Sequence, residues 1–566
     1  MKKSRIFLFL AVIFAICVIN WRFGDSGSAF NGRSVTYQWN NGSTIKFVNC
    51  WLDEGARNLG FVMYENPRSI EFKPLSERVP YTSYPPADDR VPYVSYPSTC
   101  VIPVFLAAKM LHKNSIDFDF MYDYLKYPFL VDTLLIFFLF YLLFSITLNI
   151  KHPNANLIVS FFLTMAWMFL PDNLLYLRFT YFSDEWVISF VFIYIILEII
   201  APKIKDKHRK IRYLYNSAKF LVALIGILSD YNFYFFLFAC WLVRLFTVVY
   251  EEKGGLRKAV SASWIYVLPV IIGTGIFLWR SAPLMDLSYY FRFKFEEKTY
   301  GFPDDDKSPI LMLLGNYLKS YTYAGFFLEL ALACLLIADA IRLFRQRRMP
   351  GRSYFPLLKI GAIILIPPVI HVLILMYHSG ENQFAMMKFA LPTIFSAVVL
   401  CYYFLHNANY RKFYFAVGAV SIAITLIINI IVINKEQERG IYKWVSNPAL
   451  AYELEKFIKS HSEYENVYFS GTEQILPNPP ISLAISNKRV YFIRYLHNIS
   501  EFFPDLNKAA NVRFVVRKSD SGKKKRMLLL EDSIRQRSDL LFESGKFEIY
   551  QLRSRSDLPE FVGRLN

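Results

Sequence analysis

The chain has 566 residues, of which 54% are hydrophobic and 19% charged, and its formal net charge is +18. A soluble domain carries roughly 25% charged residues, and the mean hydropathy here is +0.27, so the composition excludes a disordered chain and disfavours a soluble enzyme. No nucleic-acid-binding motif accompanies the positive charge, and basic residues collect in the cytoplasmic loops of membrane proteins. We therefore expect a protein of the lipid bilayer that binds no nucleic acid.

Apolar segments recur along the first three quarters of the chain. A membrane-spanning helix needs about 20 mostly apolar residues. The first candidate follows Lys2, Lys3 and Arg5 and lacks a small-residue cleavage site, so we interpret it as a retained span rather than a signal peptide. The eleven predicted spans are residues 6–21, 128–149, 155–171, 186–201, 214–229, 232–250, 260–279, 323–344, 356–377, 386–405 and 413–434.

The charges of the loops predict how the chain is oriented in the membrane. If the N-terminus is cytoplasmic, the basic run at 203–212 falls inside, whereas the short outside loops 172–185, 230–231 and 378–385 hold one Lys or Arg, Arg178. Cytoplasmic loops are rich in Lys and Arg, so this contrast supports the assignment. Eleven spans then place the C-terminus outside, in a periplasmic or other extracytoplasmic space.

Two parts of the chain differ in composition. Residues 1–434 form the predicted transmembrane module, which includes a first outer loop at 22–127 with juxtamembrane helices. Residues 435–566 are more polar, with a helical stripe at 449–460 and β-rich runs at 467–469, 490–493, 512–516 and 547–552. The predicted fold is a polytopic α-helical membrane protein with a small extracytoplasmic α/β domain at its C-terminal end.

An acidic pair, Asp53 and Glu54, lies in the first outer loop, with Arg57 four residues after Asp53. One interpretation is an exposed turn in which Asp53 and Arg57 form an ion pair on one helix face. The other is a general base, because a carboxylate near a low-dielectric boundary suits proton abstraction from a hydroxyl. The residues alone favour the first interpretation.

The sequence after this pair adds context. A Tyr/Pro-rich turn, at Tyr96-Pro97 or at Tyr84-Pro85-Pro86, precedes a short apolar segment that is too short to span a bilayer. This order resembles the lipid-linked-sugar glycosyltransferases of the GT-C superfamily, which include the dolichyl-phosphate-mannose protein mannosyltransferases. The resemblance covers the layout of most of the chain. It implies catalytic roles for Asp53 and Glu54, and it places Tyr96 and Arg57 by the acceptor or the pocket.

The same resemblance implies an inverting enzyme, with a polyprenyl-phosphate sugar as donor and a glycan, lipid or protein hydroxyl as acceptor. Family members often carry an acidic residue where Asp230 lies, so Asp230 is a candidate donor contact or else part of a helix-ending turn. Asp184 and Glu185 follow Ser183 before a span. They are candidate pocket residues, although a capped helix start with acids near the dipole explains them more simply.

A departing lipid phosphate needs cations, because neutralising its developing charge is the main electrostatic task. Lys388 precedes Leu391-Pro392, where the family commonly has an Arg, and a Lys offers a point charge instead of a two-pronged clamp. Arg292 and Lys294, which alternate with aromatic residues, are further candidates. The alternative for Lys388 is snorkelling to the lipid headgroups.

We expect no metal cofactor, since Lys and Arg can neutralise a monophosphate and the acidic run 304–306 is typical of a solvated turn. Cys50 and Cys100 share the first outer loop, and whether they form a disulfide stays open. Two other functions also stay open. One is a transporter or flippase of lipid-linked sugars, and the other is a lipid-linked polysaccharide polymerase or ligase.

Overall fold

The structure is a computed structural model that describes part of the chain. The described residues are 3–25, 35–64, 92–93, 97–178, 180–204, 207–252, 255–284, 299, 308–346, 355–381, 383–405, 410–439, 457, 466–470, 490–493, 511–518, 525–543 and 547–554. The chain divides into two compact units. The first contains residues 1–30, 123–279 and 291–439, and the second contains 31–122, 280–290 and 440–566.

Helices dominate the described residues. In chain order they are α1 (Lys3–Asp25), α2 (Val35–Glu54), α3 (Val101–Met110), α4 (Phe118–Leu142), α5 (Pro153–Met168), α6 (Ser183–Ile204), α7 (Arg209–Ile227), α8 (Asn232–Phe246), α9 (Leu256–Ser281), α10 (Pro309–Gln346), α11 (Phe355–Ile374), α12 (Met376–Glu381), α13 (Ala390–Leu405), α14 (Tyr410–Arg439) and α15 (Lys525–Arg537). A π-helical turn covers Asn173–Leu177, and a 3₁₀ segment covers Gln383–Phe389. Two helical segments meet within α10 at Thr322, whose φ is 58°.

Among the described residues, nine helices are long and apolar enough to cross a membrane. They coincide with nine of the eleven predicted spans, so the chain is a multi-pass integral membrane protein. The other two predicted spans are also helical, but α5 has 16 residues and α7 begins Arg-Lys-Ile-Arg. The count of eleven and the orientation of the termini stay predictions.

The core of the first unit is apolar and rich in aromatic rings. Trp167 on α5 is stacked with Phe129 on α4 and meets Phe192 on α6 edge-on, with ring centroids 6.4 Å and 5.6 Å apart. Pro153 starts α5, where its missing N–H costs no hydrogen bond. Such offset and edge-on ring pairs fix how neighbouring helices pack.

A buried ion pair links α6 and α7. Lys219 Nζ lies 2.6 Å from Glu198 Oε1, and their side chains are 5% and 14% exposed. The Tyr266 hydroxyl on α9 donates to Glu198 at 3.1 Å and accepts from Lys219 at 3.0 Å. Lys219, the charged residue in the interior of α7, is therefore paired inside the protein.

The second unit includes α2, α3 and a short antiparallel pair of strands, β1 (Met63–Tyr64) and β2 (Pro92–Tyr93). Trp51 at the end of α2 is fully buried, and its ring lies edge-on to Phe61 and Phe105. The indole N–H of Trp51 donates to the Val62 carbonyl at 2.7 Å. These contacts hold the chain that follows α2 against α2 itself.

The C-terminal part of the second unit contains a five-stranded mixed sheet. Its strands are β3 (Asn466–Ser470), β4 (Val490–Ile493), β5 (Asn511–Arg517), β6 (Ser538–Glu543) and β7 (Phe547–Leu552). The order is β4-β3-β5-β7-β6; β3 runs parallel to β4 and β5, and β7 runs antiparallel to β5 and β6. The four predicted strands are confirmed, β6 was not predicted, and the predicted helix at 449–460 lies outside the described residues except for Phe457.

Candidate functional site

Polar side chains of the first unit gather where several helices begin or end. This polar cluster consists of Asp184, Glu185, Asp230, Asn232, His371 and Lys388. Its members come from the first turn of α6, the start of α8, the last turn of α11 and the 3₁₀ segment before α13. The N-termini of α6, α8 and α13 contribute positive dipole ends, which favour an anion at this place.

Lys388 is the cation of the polar cluster. Its Nζ lies 2.7 Å from Asp184 Oδ1, and the two side chains are 10% and 6% exposed. The Asn232 amide donates to the same oxygen at 3.0 Å, and His371 Nε2 lies 3.4 Å from Lys388 Nζ. Residues 204 positions apart in the chain therefore form one buried ionic contact.

Asp230 lies beside this ion pair and is almost fully buried. Its Oδ1 accepts a hydrogen bond from the Asn232 backbone N–H at 2.8 Å. Burial, with a smaller contribution from the nearby charge of Asp184, raises the pKa of Asp230 to about 7, and Lys388 opposes both effects. Near neutral pH this carboxyl group is therefore divided between its protonated and ionised forms.

Glu185 is also buried and interacts electrostatically with Asp184 and Lys388. Ser183 begins α6, but its hydroxyl forms no hydrogen bond among the described residues, so the predicted capping bond is absent there. Asp184 pairs with Lys388 instead of serving only the helix dipole. The first turn of α6 thus contributes two carboxylates to the site.

An apolar cleft that is partly open to its surroundings adjoins the polar cluster. Its lining residues are Trp167, Asn173, Leu177, Val187, Ile188, Val191, Phe192, Ile195, Asn232, Phe236, Ile363, Ile364, Pro367, Pro368, Met387, Lys388, Leu391 and Pro392. Ile195 follows Glu185 by ten positions on α6, which corresponds to about 15 Å of helix. One end of the cleft therefore contains the charged residue Lys388, and the face of α6 that lines the cleft is apolar.

This arrangement suits an amphipathic ligand with an anionic head. Hydrophobic side chains on five helices can cover a hydrocarbon chain, which is favourable in proportion to the apolar area removed from water. Lys388 and the helix N-termini can neutralise a phosphate at the charged end. In the structure, the anion that contacts Lys388 is the carboxylate of Asp184.

Asp53, Glu54 and Arg57 belong to the second unit, which is described by itself. Asp53 is exposed in the last turn of α2, and Glu54 is half-buried. The helix ends at Glu54 because Gly55 has a φ of +87°, a conformation that suits glycine. Arg57 therefore lies beyond the helix, and among the described residues the predicted Asp53–Arg57 ion pair does not form.

Several predicted residues lie outside the described part of the chain: Tyr96, Arg292, Lys294 and the acidic run 304–306. Cys50 and Cys100 are buried, and no disulfide joins them in the structure. Within the described ranges, no three His, Cys, Asp or Glu side chains are grouped so that they could hold a metal ion.

The structure brings together four predicted residues, Asp184, Glu185, Asp230 and Lys388, and adds Asn232 and His371. Asn232 could have been suspected from its position two residues after Asp230, in a turn that starts an apolar span. Neither the comparison with protein-family models nor that with curated proteins finds a match to this chain.

Proposed function

We propose that the chain is an inverting glycosyltransferase that moves a monosaccharide from a polyprenyl-phosphate donor to an acceptor hydroxyl. The reaction takes place on the outer face of the membrane, with the N-terminus in the cytoplasm and the C-terminal domain outside. The donor enters from the bilayer, and the acceptor is a glycan, lipid or protein. The chemistry requires no metal cofactor.

The observation that carries this proposal is the apolar cleft that ends at Lys388. A polyprenyl chain needs an apolar wall, and its phosphate needs a cation at one end of that wall. Lys388 is 10% exposed and already holds a carboxylate oxygen at 2.7 Å, so its ammonium group is placed to hold an anion. A charge-assisted contact of this kind is stronger than one between neutral groups.

In the reaction, the acceptor oxygen attacks the anomeric carbon and forms the new glycosidic bond. The bond between that carbon and the phosphate oxygen breaks, and its electron pair remains on the departing polyprenyl phosphate. One displacement inverts the anomeric configuration. Lys388, with Arg292 or Lys294, neutralises the charge that develops on the phosphate.

The proposal assigns the general base to Asp53 or Glu54 on chemical grounds. The acceptor hydroxyl loses a proton as it attacks, and a carboxylate open to water can accept it. Asp53 is exposed, and the loop after it is held by the buried Trp51. General-base catalysis contributes about 10²–10⁴-fold to rate, which sets the expected loss when the base is removed.

The test uses purified full-length protein in nanodiscs and a panel of radiolabelled polyprenyl-phosphate sugars with a crude acceptor extract. Release of polyprenyl phosphate is compared between wild type, Asp53→Asn, Glu54→Gln and Asp119→Asn, the last being an exposed carboxylate of the second unit. We expect acceptor-dependent release that falls about 100-fold or more in Asp53→Asn or Glu54→Gln. Asp119→Asn is expected to keep full activity.

Full transfer by both Asp53→Asn and Glu54→Gln would refute the assignment of the base. If the donor binds but no polyprenyl phosphate is released, and the lipid-linked sugar moves across the membrane of sealed vesicles, the protein is a transporter and not an enzyme.

A further inference from the structure

Buried oxygen atoms without hydrogen-bond donors surround the ion pair of Lys388 and Asp184. Among the described residues, Asp230 Oδ2, Asn232 Oδ1 and both carboxyl oxygens of Glu185 have no hydrogen-bond partner. These three side chains are 2%, 8% and 4% exposed, respectively. Leaving a buried acceptor without a donor costs free energy, so such atoms call for a ligand or ordered water that donates.

Protein groups nearby supply no well-aligned donor to these atoms. The Ser183 hydroxyl lies near Asp230, and backbone N–H groups in the first turn of α6 lie near Glu185, but none of them forms a hydrogen bond of normal geometry with these carboxyl oxygens. The Asn232 side-chain amide already donates to Asp184. The acceptors around Lys388 are therefore available to a molecule that enters the site.

These acceptors belong to the polar cluster that adjoins the apolar cleft. Asn232 and Lys388 both line the cleft, and Asp230 and Glu185 are close enough to Lys388 to interact with its charge. In the proposed function the phosphate lies at Lys388, and the sugar is bonded to that phosphate. The sugar ring must then lie next to Lys388, in the part of the polar cluster that contains these acceptors.

We propose, on the basis of the proposed function, that Asp230, Asn232 and Glu185 form the sugar subsite, and that this subsite selects an uncharged, hydroxyl-rich sugar and rejects a sugar acid. Each sugar hydroxyl donates one hydrogen bond and satisfies one buried acceptor. A carboxylate on the sugar brings two further acceptors and a negative charge beside Glu185 and Asp230. A site built to pair with hydroxyl donors discriminates strongly against a group that leaves its acceptors unpaired.

Asp230→Asn tests this subsite with little change in shape. The substitution replaces the acceptor Oδ2 by an NH₂ donor and removes a negative charge. It should therefore favour binding of a sugar carboxylate, which the wild-type residue disfavours. The matched control is Asp132→Asn. Asp132 is a carboxyl group of α4 that is 1% exposed and accepts a hydrogen bond from Ser189, and it is not a member of the polar cluster.

The experiment measures binding to the full-length protein in nanodiscs with three probes: polyprenyl phosphate, polyprenyl-phosphate glucose and polyprenyl-phosphate glucuronic acid. We expect wild type to prefer the glucose probe to the glucuronic acid probe by about tenfold or more. Asp230→Asn is expected to reduce that ratio about fivefold or more, through weaker glucose binding and stronger glucuronic acid binding. Asp132→Asn is expected to leave the ratio unchanged.

The outcomes separate the two proposals. If polyprenyl phosphate itself does not bind, the proposed function fails. If all three probes bind with equal affinity, or if Asp132→Asn changes the ratio as much as Asp230→Asn, the sugar subsite is refuted and the proposed function stands.

Discussion

Lys219→Met removes the cation of the buried pair that joins α6 to α7. The Lys219 and Glu198 side chains are 5% and 14% exposed, and their charged atoms are 2.6 Å apart. After the substitution Glu198 keeps only the Tyr266 hydroxyl as a partner in this group. The protein then contains a buried carboxylate that no cation neutralises.

The size of the effect follows from that geometry. Removing one partner of a buried ion pair costs about 3–5 kcal/mol, because the other charge stays buried without compensation. Removing both charges, as in Glu198→Leu/Lys219→Met, leaves mainly the Tyr266 hydroxyl unsatisfied, at about 1–3 kcal/mol. The double variant is therefore expected to be more stable than either single variant, with a coupling of about 3 kcal/mol or more.

Equilibrium unfolding in mixed micelles, followed by titration with a denaturing detergent, gives the free energy of unfolding for the four proteins of this cycle. Lys412→Met, at an exposed position of α14, is the control and is expected to change stability by no more than about 0.5 kcal/mol. If Lys219→Met costs less than about 1 kcal/mol, or if the double variant costs the sum of the single ones, the reasoning from this ion pair is refuted.

Lys388→Met is expected to weaken binding of polyprenyl-phosphate glucose in nanodiscs by about tenfold or more, because the cleft loses its cation, while Lys412→Met leaves it unchanged. Burial raises the pKa of Asp230 to about 7, so between pH 6 and 8 its ionisation adds a negative charge beside Asp184 and Lys388. Fluorescence titration should show that the affinity for polyprenyl-phosphate glucose falls with rising pH. Asp230→Asn should remove that pH dependence. Trp51→Ala should destabilise the second unit by about 3–5 kcal/mol, measured as lost hydrogen-exchange protection in α2.

Each of these expectations has its own contrary result. Wild-type affinity in Lys388→Met would contradict the role of the ammonium group. An unchanged pH profile in Asp230→Asn would assign the titration to another residue. Unaltered exchange rates in α2 of Trp51→Ala would show that the indole does not anchor that helix.

Sequence patterns predicted the described apolar spans and four of the five C-terminal strands, because both depend on local periodicity. They missed β6, which follows α15 without a turn residue between Arg537 and Ser538. They also treated α5 and α7 as ordinary spans. In α7 the polar residue Lys219 is compatible with burial only because Glu198, on another helix, pairs with it, and such pairing is not visible in one segment.

The site was predicted in part. Asp184, Glu185, Asp230 and Lys388 were candidates, but a helix cap was the preferred explanation for Asp184. The contact between Asp184 and Lys388 joins residues 204 positions apart, and no local pattern encodes so distant a pair. Asn232 and His371 can be recognised as site residues only when it is known that four helix ends meet, and that requires the tertiary structure.

The pairing of Lys219 with Glu198 also bears on how the protein is made. An isolated α7 carries its charged residues into the insertion channel without a partner, and a lone buried ammonium disfavours transfer into lipid. Since α6 is synthesised immediately before α7, the two can leave the channel together as a helical hairpin whose charges are already matched. Because α6 is made first, Glu198 is already present to pair with Lys219 when α7 enters the bilayer.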